Sequence, residues 1–199
     1  MSSPLLPFAG AERMNQEAVN DPDSDDGLMA RFCEGDEAAF TVLYDRYAQQ
    51  LEIFLRRFVR DKTLAEDLLQ TTFMSFVKAR GRYRPTAGVR AWLFAIAANA
   101  GRDALRRRGV RREEPLGPGI DDLGSDAPAQ SDPGMSQAIE VALRQLPPDQ
   151  REAVLLHKMH DLSFPEVAVA MGTSVGVAKV RAHRGYQKLK VLLAPLENQ

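Results

Sequence analysis

The chain has 199 residues, 44% apolar and 27% charged, with a formal net charge of −1. That length suits one ordinary domain or two small ones, and that balance excludes wholesale disorder. Its one cysteine, Cys33, excludes an internal disulfide and a cysteine-based zinc site and fits a reducing compartment; no cofactor is expected.

Residues 1–26 read as a disordered tail, because the DPDSDDG stretch has nothing to bury. MSSPLLPFAG has neither a basic n-region nor a long apolar run, so a secretory signal is not expected. The longest apolar run, Ala91 to Ala98, is far short of the roughly 18 residues that span a bilayer. A soluble, cytoplasmic protein without membrane insertion follows.

From residue 27 to 112 every pattern is helical. Ala39, Phe40, Leu43, Tyr47, Leu51, Phe54, Leu55 and Phe58 recur at intervals of three and four, predicting one long amphipathic helix. Thr63 with Glu66 reads as a capping box opening the next helix, whose apolar face is Ala65, Leu69, Thr72, Phe73 and Phe76. GRYRPTAG is a loop. Trp92, Leu93, Ile96, Ala97, Ala100 and Ala104 then mark a helix running into RRRGVRR, with Trp92 expected in the core. The charge is segregated: six Arg lie between Arg102 and Arg112, and six acids with no base lie between Glu113 and Asp132. Such asymmetry points to a polyanion-binding surface. Residues 113–134 form an acidic flexible linker, and 135–194 a second helical unit. No stretch alternates with period two, so the fold class is all-α, two small helical domains.

Within the second unit, LPPDQ opens a helix carrying Ala153, Val154 and Leu156, and Ser163-Phe164-Pro165-Glu166 is a capping box with proline in the first turn. Gly172 ends that short helix, and Thr173 or Ser174 caps the next. Two short helices joined by about four residues that include glycine form a helix-turn-helix. At 100° per residue, Val175, Ala178, Ala182, Gly185 and Leu189 face inward. Gly176, Val180, His183, Arg184 and Gln187 face outward, flanked by Lys179 and Arg181. This division suits a major groove: Lys179 and His183 donate to base edges, and Val180 meets a thymine methyl. Arg181, Arg184, Lys188 and Lys190 neutralise phosphates.

GDEAAFTVLYDRYAQQL, AEDLLQTTFMSFVKA and VRAWLFAIAANAGRDALRRR, in that order, resemble region 2 of the extracytoplasmic-function (ECF) group of bacterial sigma factors. LPPDQREAVLLH and LSFPEVAVAMGTSVGVAKVRAHR resemble region 4. The resemblance implies a non-enzymatic promoter-specificity subunit. Core RNA polymerase, through its beta-prime clamp coiled coil, would dock on Asp67, Gln70, Thr71 and Met74. The minus-10 element would be read and opened by Arg82, Tyr83, Arg84, Asn99, Arg102, Asp103 and Arg106. The minus-35 element would be read by Lys179, Val180, Arg181, His183, Arg184 and Lys188. Promoter DNA and an anti-sigma factor are the further partners it implies. The usual recognition helix, TVKSRLHRAR, is here VAKVRAHRGY. Val177 and Val180 imply altered promoter preference and Ala182 closer packing, while Gly185 costs about 1 kcal/mol against alanine and invites fraying.

Two other classes compete. An autonomous helix-turn-helix regulator needs a ligand or phosphorylation domain in place of the first unit. A DNA-processing enzyme needs an activated nucleophile or a carboxylate–metal cluster, whereas Ser75 has no histidine near it in sequence and the acids gather in the tail and linker.

Overall fold

The computed structural model describes residues 21–84, 88–111 and 133–194. All regular structure among them is helical: α1 (Asp25–Cys33), α2 (Glu37–Val59), α3 (Lys62–Ala79), α4 (Gly88–Arg111), α5 (Pro133–Arg144), α6 (Pro148–Val154), α7 (Phe164–Met171) and α8 (Val175–Leu193). No helix among the described residues is long and apolar enough to cross a membrane.

The expected tail is too long at its inner end. Helix α1 starts at Asp25, because the Ser24 hydroxyl accepts from the Gly27 N–H at 3.0 Å. The acidic run does bury groups: Asp26 is 8% exposed and accepts from the Tyr83 hydroxyl, while Asp25 accepts from Tyr47 and Arg46. Acids in the first turn also suit the positive end of the helix dipole. The rest of the expected tail, residues 1–20, lies outside the described residues, as do residues 112–132 of the linker. Pro133 and Gly134, assigned to that linker, open α5 instead.

Helix α2 buries the expected stripe, with Phe40 half-buried. It ends without glycine, on Arg60 in the left-handed conformation (φ 61°). The cap that follows is Asp61 and not Thr63: its carboxylate accepts from the Leu64 N–H at 2.8 Å and from Arg108 at 2.5 Å. A short carboxylate ahead of the helix can reach its first N–H groups, so Thr63 is left inside the first turn. Helices α1 to α4 pack around Phe32, Phe54, Phe58, Phe76 and Phe94.

In the second set, α6 continues into one wide π-helical turn, Leu155–Met159, followed by His160 and by Asp161 in the left-handed region (φ 49°). The Glu166 carboxylate accepts from both the backbone N–H (2.7 Å) and the hydroxyl (2.6 Å) of Ser163, and Gly172 ends α7 at φ 61°. Ser174 caps α8. Gly185 is no fraying point: a Cβ there would stand 2.5 Å from Val154 Cγ2 and 3.2 Å from the Gln150 carbonyl. Its missing side chain lets α8 lie close on α6. The buried cores of the two sets form one continuous cluster.

Candidate nucleic-acid interface

Small residues put α8 where it can be read from outside. Ala178, Ala182 and Gly185 are buried against the second set, and Lys179, Val180, His183, Arg184 and Lys188 are exposed. Val180 is 49% exposed, a methyl-bearing contact held out to solvent among cations. Two of the expected readers have internal neighbours. Arg181 pairs with Asp149 at 3.4 Å, and the Lys179 ammonium lies 5.7 Å from the centre of the Phe164 ring. Phe164 in turn rests on His157, with ring centres 4.0 Å apart.

On α3, Asp67, Gln70, Thr71 and Met74 are all exposed, Met74 at 58%. Gln70 and Met74 line an open groove together with Phe40, Tyr44, Phe73, Val77 and Lys78. Tyr44 is 42% exposed and packs against Phe73 at 4.6 Å between ring centres. Sequence reasoning missed the contribution of α2 to this face. Its signal was Phe40 and Tyr44 at four-residue spacing on one side of α2.

The residues expected to read the minus-10 element are dispersed in their states. Tyr83 is half-buried, donating to Asp26 and packed on Trp92 at 5.2 Å, and burial together with that hydrogen bond pushes its phenol well above the usual range. Trp92 is half-buried between Tyr83 and Phe76, consistent with a core position. Arg82 and Arg84 are exposed. On α4, Asn99 and Asp103 are exposed, and Asp103 accepts from Arg106 at 2.5 Å.

Arg102 points into the second set instead of outward. Its guanidinium donates to the Glu152 carboxylate, to the Asn99 side-chain oxygen and to the Ala170 carbonyl (3.3 Å). The Glu152 side chain is 3% exposed, and its burial pushes the carboxyl up to about 7 against the pull of Arg102. His160 is inserted between Phe54 and Phe94, with ring centres 5.8 and 5.0 Å away. Burial, with Arg57 and Arg90 nearby, pushes its imidazole down to about 4. Arg90 donates to the His160 carbonyl, Arg57 to Glu140 at 2.6 Å, and Arg60 to the Arg144 carbonyl at 3.2 Å. None of these cross-contacts was anticipated.

Among the described residues no group of histidines, cysteines and carboxylates could hold a metal ion. The exposed cations of α8 and α4 are suited to phosphate and base contacts.

The chain matches Sigma-70 region 2 over residues 43–111 and Sigma-70 region 4 over residues 136–189. It is 47% identical over 174 residues to RNA polymerase sigma factor CarQ of Myxococcus xanthus, covering 85% of this chain and 97% of that protein. It is 33% identical over 173 residues to ECF RNA polymerase sigma factor SigM of Mycobacterium tuberculosis, covering 87% and 86%. Among solved structures, CnrH in complex with the cytosolic domain of CnrY is similar, at 29% identity and a TM-score of 0.65, over 86% of this chain and 97% of that one. The sigma factor RpoE in complex with the anti-sigma factor NepR from Bartonella quintana gives 26% identity and a TM-score of 0.68, over 78% and 96%.

Proposed function

We infer how this chain works from one premise: it belongs to the extracytoplasmic-function group of bacterial RNA polymerase sigma factors. It is a non-enzymatic transcription initiation factor that acts with core RNA polymerase at promoters. Our reading assigns the minus-35 element to α8, and a single observation carries it. Val180, His183, Arg184 and Lys188 stand out to solvent on a helix whose fully buried residues are Ala178, Ala182 and Gly185, with Val175, Tyr186 and Leu189 packed beside them. A helix anchored on one side by small and apolar residues and cationic on the other suits a major groove.

The same reading assigns core polymerase to Asp67, Gln70, Thr71 and Met74, with the neighbouring groove of Phe40, Tyr44 and Phe73 as apolar anchor. Arg82, Tyr83, Arg84, Asn99, Arg102, Asp103 and Arg106 would serve the minus-10 element. On this reading α1 to α4 and α5 to α8 are the two working domains, and the protein acts in the cytoplasm. The solved structures of CnrH and RpoE hold partner proteins, and by analogy an anti-sigma factor is proposed for this chain.

The docking assignment is tested by titrating labelled protein with core polymerase beside an Asp67→Ala/Gln70→Ala variant. Saturable binding that the variant loses supports it; equal binding by both moves the face elsewhere. For α8, Lys179→Ala/His183→Ala holoenzyme is compared on a library of upstream sequences. A changed sequence preference supports base reading, whereas uniformly weaker binding reduces both residues to phosphate contacts.

A further inference from the structure

We propose that Val177 and Val180 of α8 read the methyl groups of two neighbouring thymines in the minus-35 element, beside a Gly176 that lets the helix sit close. The inference deepens the reading of α8 as the minus-35 helix and rests on it.

The first turns of a recognition helix are the part that meets base edges. Ser174 caps α8, and Gly176, Val177 and Val180 are exposed on the turns that follow. At about 100° per residue, Val180 stands nearly opposite the buried line Ala178, Ala182 and Gly185. Gly176 lies about 40° to one side of it and Val177 about 60° to the other. The two valines are 40% and 49% exposed and lie outside the apolar core. A Cβ on Gly176 would meet only the Ser174 Oγ, at 4.0 Å, and its φ is not positive. Neither packing nor backbone geometry within the protein requires glycine at that point, where it is a poor helix former. Close approach of something outside does.

The cations of these turns are drawn aside. The Lys179 ammonium lies 5.7 Å from the Phe164 ring centre, and Arg181 pairs with Asp149 at 3.4 Å. The strip of Gly176, Val177 and Val180 therefore offers methyl groups and no side-chain donor or acceptor. Two β-branched side chains held in water gain nothing from helix propensity or from internal packing.

Their neighbours indicate what covers them. Arg184 and Lys188 continue the exposed face and call for a polyanion. Duplex DNA meets both needs, with phosphates for the cations and one methyl-bearing base in its major groove. That base is thymine. The other three present only donors and acceptors there, which valine would leave unpaired. Residues one helical turn apart have Cβ atoms about 5–6 Å apart. Base pairs stack about 3.4 Å apart, so the pair spans one to two steps.

The test uses the full chain bound to core polymerase, with promoter fragments that it selects from a library randomised upstream. Thymine is expected at two adjacent or next-but-one positions of the selected element. Replacing both by deoxyuridine, which lacks only the methyl, should weaken binding about fifteenfold, or about fourfold for each methyl. Holoenzyme carrying Val177→Ser/Val180→Ser should bind the thymine and uracil fragments within about twofold of each other. It should keep its helical circular dichroism, because both positions are exposed. It should also keep the wild-type salt dependence, because no cation is removed. A selected element without thymine overturns the proposal, as do uracil fragments bound by wild type as tightly as thymine ones. An equal loss in wild type and the serine variant also overturns it, since the methyl effect then lies in the DNA. A wild-type holoenzyme that selects no upstream sequence defeats the reading of α8 itself, and the proposal with it.

Discussion

Helix α4 buries Val89, Ala91, Leu93, Phe94, Ala97 and Ala98, which spread over more than half of its circumference, whereas α8 buries Ala178, Ala182 and Gly185 along one line. Both carry a basic set assigned to DNA. The first lies between α2 and α3 on one side and α7 on the other; the second leans on its own set alone and shows its cations to water. So wide an apolar face needs more than one burying surface, and here the second is the other half of the molecule. On α4 Arg102 is engaged by the other set while Asn99, Asp103 and Arg106 stay exposed; on α8 the cations are displayed.

The largest test of this contrast is Phe94→Ala. Phe94 is fully buried and touches Phe54 and His160, so its loss should cost about 3–5 kcal/mol in denaturant unfolding and loosen the contact between the two sets. Val180→Ala on α8 should leave stability within about 0.5 kcal/mol. Next in size is Gly185→Ala. It gains helix propensity but collides with Val154 and Gln150, for a net loss of about 1–3 kcal/mol in urea unfolding.

Acidity sharpens the comparison where the two sets meet. The folded chain holds the Glu152 carboxyl near 7, above its ordinary 4.5, with Arg102, Arg181 and Asp149 facing it. Its protonation therefore adds stability as pH falls below 7. The folded chain holds His160 near 4, below its ordinary 6.5, with Arg57 and Arg90 facing it, so acid removes stability there. Between about pH 6.5 and 5 the two proton uptakes oppose each other, and the wild-type unfolding constant should stay nearly flat. In urea unfolding, Glu152→Gln should lose stability on acidification by up to about tenfold per pH unit in that window, and His160→Asn should gain by a similar factor. A flat profile in both variants would remove these groups from the pH response.

The smallest effect is that of Arg181→Ala. Its pair with Asp149 is partly exposed, so stability should change by about 0–1 kcal/mol. The salt dependence of DNA binding by the holoenzyme should lose about one phosphate contact from its slope.

Much of this was legible before any coordinates. The stripe on α2 and the inward line Ala178, Ala182 and Gly185 were readable because helical period and side-chain size determine both. The capping box at Ser163–Glu166 was readable because its chemistry is local. Asp61 was passed over for Thr63 because two adequate caps stood two residues apart, and the ion pair with Arg108 arises only in the folded chain. The role of Gly185 depended on Val154 and Gln150, residues 31 and 35 positions earlier. Arg102 was taken for a free reader because no local pattern ties it to Glu152, 50 residues on. The run from Ala91 to Ala98 did carry a hint. Its apolar residues circle the helix, and a one-sided stripe of Trp92, Leu93 and Ile96 explained only part of them.

The continuous core has a bearing on survival. Two small helical units that share one apolar interior should melt as a single cooperative event, since neither can unfold without baring the other. Limited proteolysis should accordingly cut a folded Glu152→Lys protein, which loses the ion pair between the sets, faster than wild type.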